Sequence, residues 1–275
     1  KWIPYYAERS LNAINAESNA NWGAQTPGGY IAARLMWNPQ ADVEPWVEEF
    51  FERSFGKAAA PVRRLYEQFD RAPQLEVSQL RPMFEDLAEA YELAESDAVR
   101  ARLVDLMAYL HYLTLFREFT LAWDADPGRG DAFYDKLEPL LNYTWRTTGR
   151  DMFHSYALAR RLANGVPLRD GRFEYWMFLS EKKKPRPAHL ERHGIDPATL
   201  PDRPVWKHGE PYTDAEIRAL FEQSRAALAS DDRLGVYFSR YLDYAHAPGP
   251  DVGSSRTAEG ETGAEFEGVV TVYLA

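Results

Sequence analysis

The segment from Ser96 to Trp123 constrains the fold more than any other part of the chain. Val99, Leu103, Leu106, Leu110 and Leu113 recur at helical spacing. A second series, Tyr109, Tyr112, Phe116, Phe119 and Trp123, runs beside it in alternating steps of three and four. The two series occupy two faces of one long helix, with Ser96-Asp97 supplying its N-cap. A helix that is apolar on two faces has to be enclosed by other helices. The expected architecture is therefore a bundle built around this element. Lining a ligand groove is the alternative use of the aromatic series, and core packing is the expectation.

Neighbours for such a helix are easy to find. Val43, Trp46, Val47, Phe50 and Phe51 form one apolar face, with Gly56 as terminator. Val62, Leu65, Tyr66 and Phe69 form the next, with Pro61 in the first turn, and Leu80, Phe84, Leu87 and Tyr91 a third. After the turn cluster Asp124 to Gly130, helices are expected near residues 131–146 and 149–164. Residues 166–212 are Pro-rich and irregular. Thr213 and Glu216 form a capping box ahead of Ile217, Leu220, Phe221 and Leu228.

The two ends read differently. Trp2, Tyr5 and Tyr6 mark a short helix with Pro4 in its first turn, and Leu11, Ala13, Ile14 and Ala16 make an apolar run of strand length. Gly28-Gly29 precedes a helix carrying Tyr30, Ile31, Leu35 and Met36, which stops at Asn38-Pro39. The order helix, strand, loop, helix is one unit of an α/β fold. At the other end, Gly235 to Ser239 looks strand-like, and Gly268 to Ala275 carries a β-branched run that needs a neighbouring strand. The expectation is that both ends lie inside a larger architecture. The fold class is mainly α with a short β segment at the C-terminus. Three regions are expected: 1–37 as the helix–strand–helix unit, 38–230 as the helical bundle, and 231–275 as an irregular or β segment.

The formal charge of −10 over 275 residues argues against a nucleic-acid partner. The basic run Lys182 to Pro187 is short, Pro-broken and read as a solvated loop. No apolar run reaches the roughly 20 residues needed to span a bilayer, so no membrane association is expected. With no cysteine there are no disulfides or thiolate metal sites, and this does not decide the compartment. His189 and His193 share a helix face but lack a third ligand, and no metal or cofactor is expected. His111 and His154 fall within helical patterns and read as satisfied core or boundary residues. Ser155 and Tyr156 beside His154 do not make a triad, because adjacency on a helix does not supply its geometry. The run Asp126 to Gly130 has neither Walker nor Rossmann spacing.

One stretch is chemically suggestive. Glu17 falls where a buried strand would emerge, followed by Ser18, Asn19, Asn21, Trp22 and Gln25. In parallel α/β folds, active sites are built after the C-terminal ends of strands. Carboxylate and amides hydrogen-bond hydroxyls, and an indole face packs on the apolar face of a sugar ring. Glu17, Trp22, Asn19 and Asn21 are thus candidate saccharide-binding residues. The competing reading makes Glu17 a backbone cap and Trp22 a packing residue. Glycoside hydrolysis generally uses two carboxyl groups, and a second one on this face is not evident.

Ala16-Glu17-Ser18, Asn21-Trp22-Gly23 and the stretch 30–69 resemble a bacterial family named domain of unknown function 4838. Its more specific parts are Ala33-Arg34-Leu35-Met36-Trp37-Asn38-Pro39 with Asp42, and Phe55-Gly56 followed by Ala58 to Pro61. The resemblance implies a carbohydrate-active, glycoside-hydrolase-like protein with a (β/α)8 barrel followed by a helical domain. On that basis residues 1–37 are the last helix–strand–helix of a TIM-like barrel and the chain is a C-terminal portion of its parent. Glu17 would contact a carbohydrate substrate from the mouth of the final strand, with the acid/base pair upstream and this portion inactive alone. An extracellular or periplasmic location is implied. The alternative is a non-catalytic helical module that binds a protein or stabilises a neighbouring domain.

Overall fold

The computed structural model describes residues 2–9, 14–17, 22–69, 75–125, 131–152, 155, 158, 210–231 and 270–273. Most of these are helical. In chain order the elements are α1 (Trp2–Glu8), β1 (Ile14–Glu17), α2 (Trp22–Trp37), α3 (Glu44–Phe55), α4 (Ala59–Phe69), α5 (Val77–Leu93), α6 (Asp97–Ala125), α7 (Asp131–Arg146), α8 (Asp214–Ser230) and β2 (Val270–Tyr273). Short 3-10 turns join α3 to α4 at Gly56–Ala58 and follow α7 at Thr148–Arg150.

The bundle forms around α6, as its two stripes require. Leu103, Leu106, Leu110 and Leu113 are buried, and so are Tyr109, Tyr112, Phe116 and Phe119. The aromatic stripe is core rather than groove lining. Its rings belong to a string that enters from α3 and α4 and leaves into α7. Phe51 meets Tyr66 at 5.7 Å, Tyr66 meets Phe69 at 5.4 Å, Phe69 meets Tyr109 at 5.4 Å, and Phe119 meets Phe133 at 5.4 Å. Centroid separations of this size are the favourable edge-on or tilted range. Helices α5, α7 and α8 pack on α6, α4 packs on α5, and α2 bridges α3 and α6.

Helix ends follow local chemistry. Ser96 Oγ accepts the Val99 N–H at the start of α6. Thr213 Oγ1 accepts the Glu216 N–H while the Glu216 carboxylate accepts the Thr213 N–H at 2.8 Å, completing the capping box. Gly56 closes α3 at φ 55°, a conformation favoured by glycine. The far end of α8 is capped from outside. Arg81 donates from Nε to the Leu228 carbonyl and from Nη2 to the Asp231 carbonyl, both at 2.8 Å.

Two expectations change. Helix α2 opens at Trp22 and runs through Pro27, Gly28 and Gly29, not after them. Trp22 therefore stands on the helix rather than in the loop before it. The β-branched run at the C-terminus also finds its neighbour within the chain. β2 pairs in parallel with β1, Ile14 opposite Val270 and Glu17 opposite Tyr273. The strand-like reading of residues 235–239 and most of the expected helix at 149–164 lie outside the described residues.

Candidate functional site

Glu17 is the last residue of β1 and Trp22 the first of α2, so the two strongest sequence candidates flank one strand-to-helix turn. Asn19 and Asn21 lie in the four residues between and outside the described part. What the structure shows in detail is how the start of α2 is held, and the holding centres on Gly23.

Pro27 has no N–H, so the carbonyl four residues earlier, that of Gly23, loses its helical donor. The Tyr66 hydroxyl, from α4, donates to that carbonyl at 2.6 Å, and Thr26 Oγ1 adds a longer contact at 3.3 Å. Burial pushes the Tyr66 phenol up, so it stays protonated and able to donate at any physiological pH. The Gly23 N–H is one of the donors that every helix leaves unpaired in its first turn. It donates to the Asp151 carbonyl at 3.0 Å. Asp151 is in the left-handed conformation, φ 52° and ψ 30°, which turns the chain out of the 3-10 turn toward α2.

The space beside Gly23 is occupied by Met152. A Cβ there would overlap Met152 Sδ and would lie 3.1 Å from Met152 Cε and 3.4 Å from the Asp151 carbonyl oxygen. Met152 is itself buried in the bundle core, so a Cβ at 23 would force its flexible thioether end to shift. The corner that presents Asp151 and Met152 is fixed in turn by Arg150. Its guanidinium pairs with Asp105 of α6 and Asp214 of α8, each at 2.8 Å, and donates to the Tyr212 carbonyl at 3.0 Å. Burial pushes the Asp105 carboxyl up despite this partner, so the pair is held at a desolvation cost. The start of α2 thus rests on a base assembled from α4, α6 and α8.

The other candidate chemistry is structural. His111 Nδ1 lies 2.7 Å from Ser224 Oγ, with Thr114 Oγ1 a further 3.1 Å from that hydroxyl. The imidazole packs edge-on to Tyr143 at 4.7 Å. Burial lowers its pKa to about 4, which leaves a neutral ring too weakly basic to activate a serine at neutral pH. This is the satisfied core histidine that its helical context suggests. It borders a cleft of about 760 Å³ between α7 and α8 that includes Thr114, Asn142 and Gln223. A second groove, between α5 and α8, is lined by the carboxylates of Glu85, Asp86, Glu89, Glu92 and Glu222 with Arg218 and Arg225, and Arg225 pairs with Glu85 and Glu222. Neither contains a residue singled out as a saccharide ligand. His154, Tyr156, His189 and His193 lie outside the described residues. Among the described residues no three metal-binding side chains converge, and no helix is long and apolar enough to cross a membrane.

Tyr66, Gly23, Pro27, Asp151 and Met152 were not legible as site residues. Pro27-Gly28-Gly29 reads locally as a break, so only once α2 is seen to run through Pro27 does the orphaned carbonyl four residues back, and its need for an outside donor, become evident.

No curated protein and no solved structure matches the chain. A family model does match: residues 1–68, which run from α1 to the end of α4 and include both Gly23 and Tyr66, match the family described as Domain of unknown function (DUF4838).

Proposed function

We propose that this chain is part of a carbohydrate-active, glycoside-hydrolase-like protein in which α1, β1 and α2 form the closing unit of a (β/α)8 barrel. In this reading Glu17 and Trp22 are one wall of a saccharide site, and the helical bundle supports it. The observation that carries the reading is the placement of Glu17 and Trp22 at the C-terminal end of β1 and the first residue of α2. That is where α/β barrels gather ligand-binding groups. A single carboxylate does not complete a hydrolytic pair, so the role assigned to Glu17 is substrate contact.

The test is calorimetric titration of maltohexaose, cellohexaose, xylohexaose and chitohexaose into the intact parent protein and into its Glu17→Gln and Trp22→Ala variants. A loss of roughly tenfold or more in affinity is expected for each, the value of one good hydrogen bond or ring contact in a site. Unchanged affinity in both variants refutes the assignment. A second reading, a non-catalytic protein-interaction module, draws on Trp37, which is 92% exposed beside the exposed Met36 at the end of α2. Absence of saccharide binding together with a partner lost in Trp37→Ala would favour it.

A further inference from the structure

We infer that the bundle is the positioning element of the start of α2: Tyr66 and the Asp151–Met152 corner fix the backbone at Gly23 and so set where the backbone of the adjoining Trp22 stands. The ligand part of this inference rests on the proposed carbohydrate site.

Three features support it independently. The carbonyl orphaned by Pro27 is served by a hydroxyl from α4, 43 residues further along the chain. The adjacent N–H is served by a carbonyl in the strained corner after α7. The side-chain space of residue 23 is taken by Met152. Both backbone groups of one residue, Gly23, and the position its Cβ would take therefore face the bundle. A helix that simply rested on a neighbour would need none of these. It would keep an alanine at 23 and a residue with an N–H at 27, both better helix formers. The start of α2 breaks helix preference at Gly23, Pro27, Gly28 and Gly29, and at Gly23 and Pro27 the bundle fills the space or supplies the missing donor. Tyr66 suits this task because its ring is locked between Phe51 and Phe69, which leaves the hydroxyl no freedom to wander from Gly23. Tyr66, Asp151 and Met152 are positioning residues; they act on Trp22 through Gly23 and are assigned no contact with ligand.

The experiment uses the whole chain and three variants: Tyr66→Phe, Gly23→Ala, and Gly23→Ala combined with Met152→Ala. Amide hydrogen exchange is followed residue by residue, and affinity for the same four hexasaccharides is measured in the intact parent protein carrying the same substitutions. In Tyr66→Phe, the amides of Gly23 and Thr26 should exchange roughly two- to tenfold faster, the equivalent of one net hydrogen bond, while those of α5 to α8 keep their wild-type rates. Affinity should fall with the same variant. Gly23→Ala should have the larger effect on both measurements, and removing the Met152 side chain should restore much of the loss because it clears the space the new methyl needs. Unchanged exchange at Gly23 and Thr26 in both single variants overturns the inference. So does a uniform acceleration across the bundle, which would mean that these residues only stabilise the fold. If the wild-type parent protein binds none of the four saccharides, the carbohydrate reading falls, and the exchange and rescue results still decide whether the bundle positions the start of α2.

Discussion

The Tyr66 contact can be weighed by restoring the donor that Pro27 removes. Tyr66→Phe keeps the ring in the aromatic string and deletes only the hydroxyl, leaving the Gly23 carbonyl with the 3.3 Å contact to Thr26. A buried carbonyl left unpaired costs about 1–3 kcal/mol. The site is only part-buried and Thr26 remains, so the expected loss is about 1–2 kcal/mol. In a Pro27→Ala background the new backbone N–H points at the same carbonyl, and Tyr66→Phe should then cost about 0.5 kcal/mol or less. The coupling energy expected from the cycle is about 1 kcal/mol, within the range for residues that share a partner.

Urea unfolding of the four proteins, with m-values compared to confirm that the transition is the same, measures this directly. Pro27→Ala by itself has two opposing effects. It removes the helix penalty of proline and loses proline's restriction of the unfolded chain. Its own sign therefore does not decide the matter; the interaction term does. If Tyr66→Phe costs the same in both backgrounds to within about 0.4 kcal/mol, the limit for independent sites, then Tyr66 is not the substitute donor and the account of the α2 start is wrong.

His111 and the α8 cap give further tests. The imidazole falls from its usual 6.5 to about 4 on folding, so the unfolded chain binds the proton more readily. The stability this contributes is complete above pH 6.5 and is lost as pH falls toward 4, a change of about 3 kcal/mol. Wild type should therefore lose about that much more stability than His111→Gln between pH 7 and pH 4, with carboxylate effects common to both; equal losses would show that the ring is not buried neutral. Thr213→Ala should cost about 1 kcal/mol in urea unfolding, since it removes the N-cap acceptor for Glu216. The Glu216 carboxyl is held below its ordinary range chiefly by the Thr213 backbone N–H, so the cap's benefit is present at neutral pH and fades as pH drops through that lowered value. Stability unchanged in Thr213→Ala would show that the box does not anchor α8.

The bundle was legible because its determinants are local. Periodicity at 3.6 placed α3 to α8, and Ser96, Gly56 and the Thr213 box marked ends that the structure reproduces. The position of Glu17 at a strand end was legible for the same reason. What failed was the start of α2. Pro27, Gly28 and Gly29 together look like a break, and locally they are one. The helix continues through them because a hydroxyl 43 residues away replaces the missing donor, and no window of sequence contains both partners. The partner of the C-terminal β-run escaped for a related reason. Parallel pairing of Ile14–Glu17 with Val270–Tyr273 joins opposite ends of the chain, and a hydrophobic pattern states that a strand needs a neighbour without saying which.

The residues around Gly23 also explain one another in a way that none does alone. A glycine early in a helix costs stability relative to alanine, a proline past the first turn removes a hydrogen bond, and a phenol in a core must find an acceptor. Here the proline creates the acceptor that the phenol needs, and the glycine admits the methionine that closes the corner beside it. Three locally unfavourable choices thus become mutually required. Local rules that are broken together at one place, and reconciled only by tertiary contacts, are the pattern expected where a chain places a site rather than merely packs a core. The place is the first turn of the helix that follows Glu17. Repacking the aromatic string at Phe51 or Phe69 would shift the ring of Tyr66 and with it the only hydroxyl from the bundle that reaches Gly23 among the described residues. The geometry of the turn is in that sense inherited from the core of the bundle.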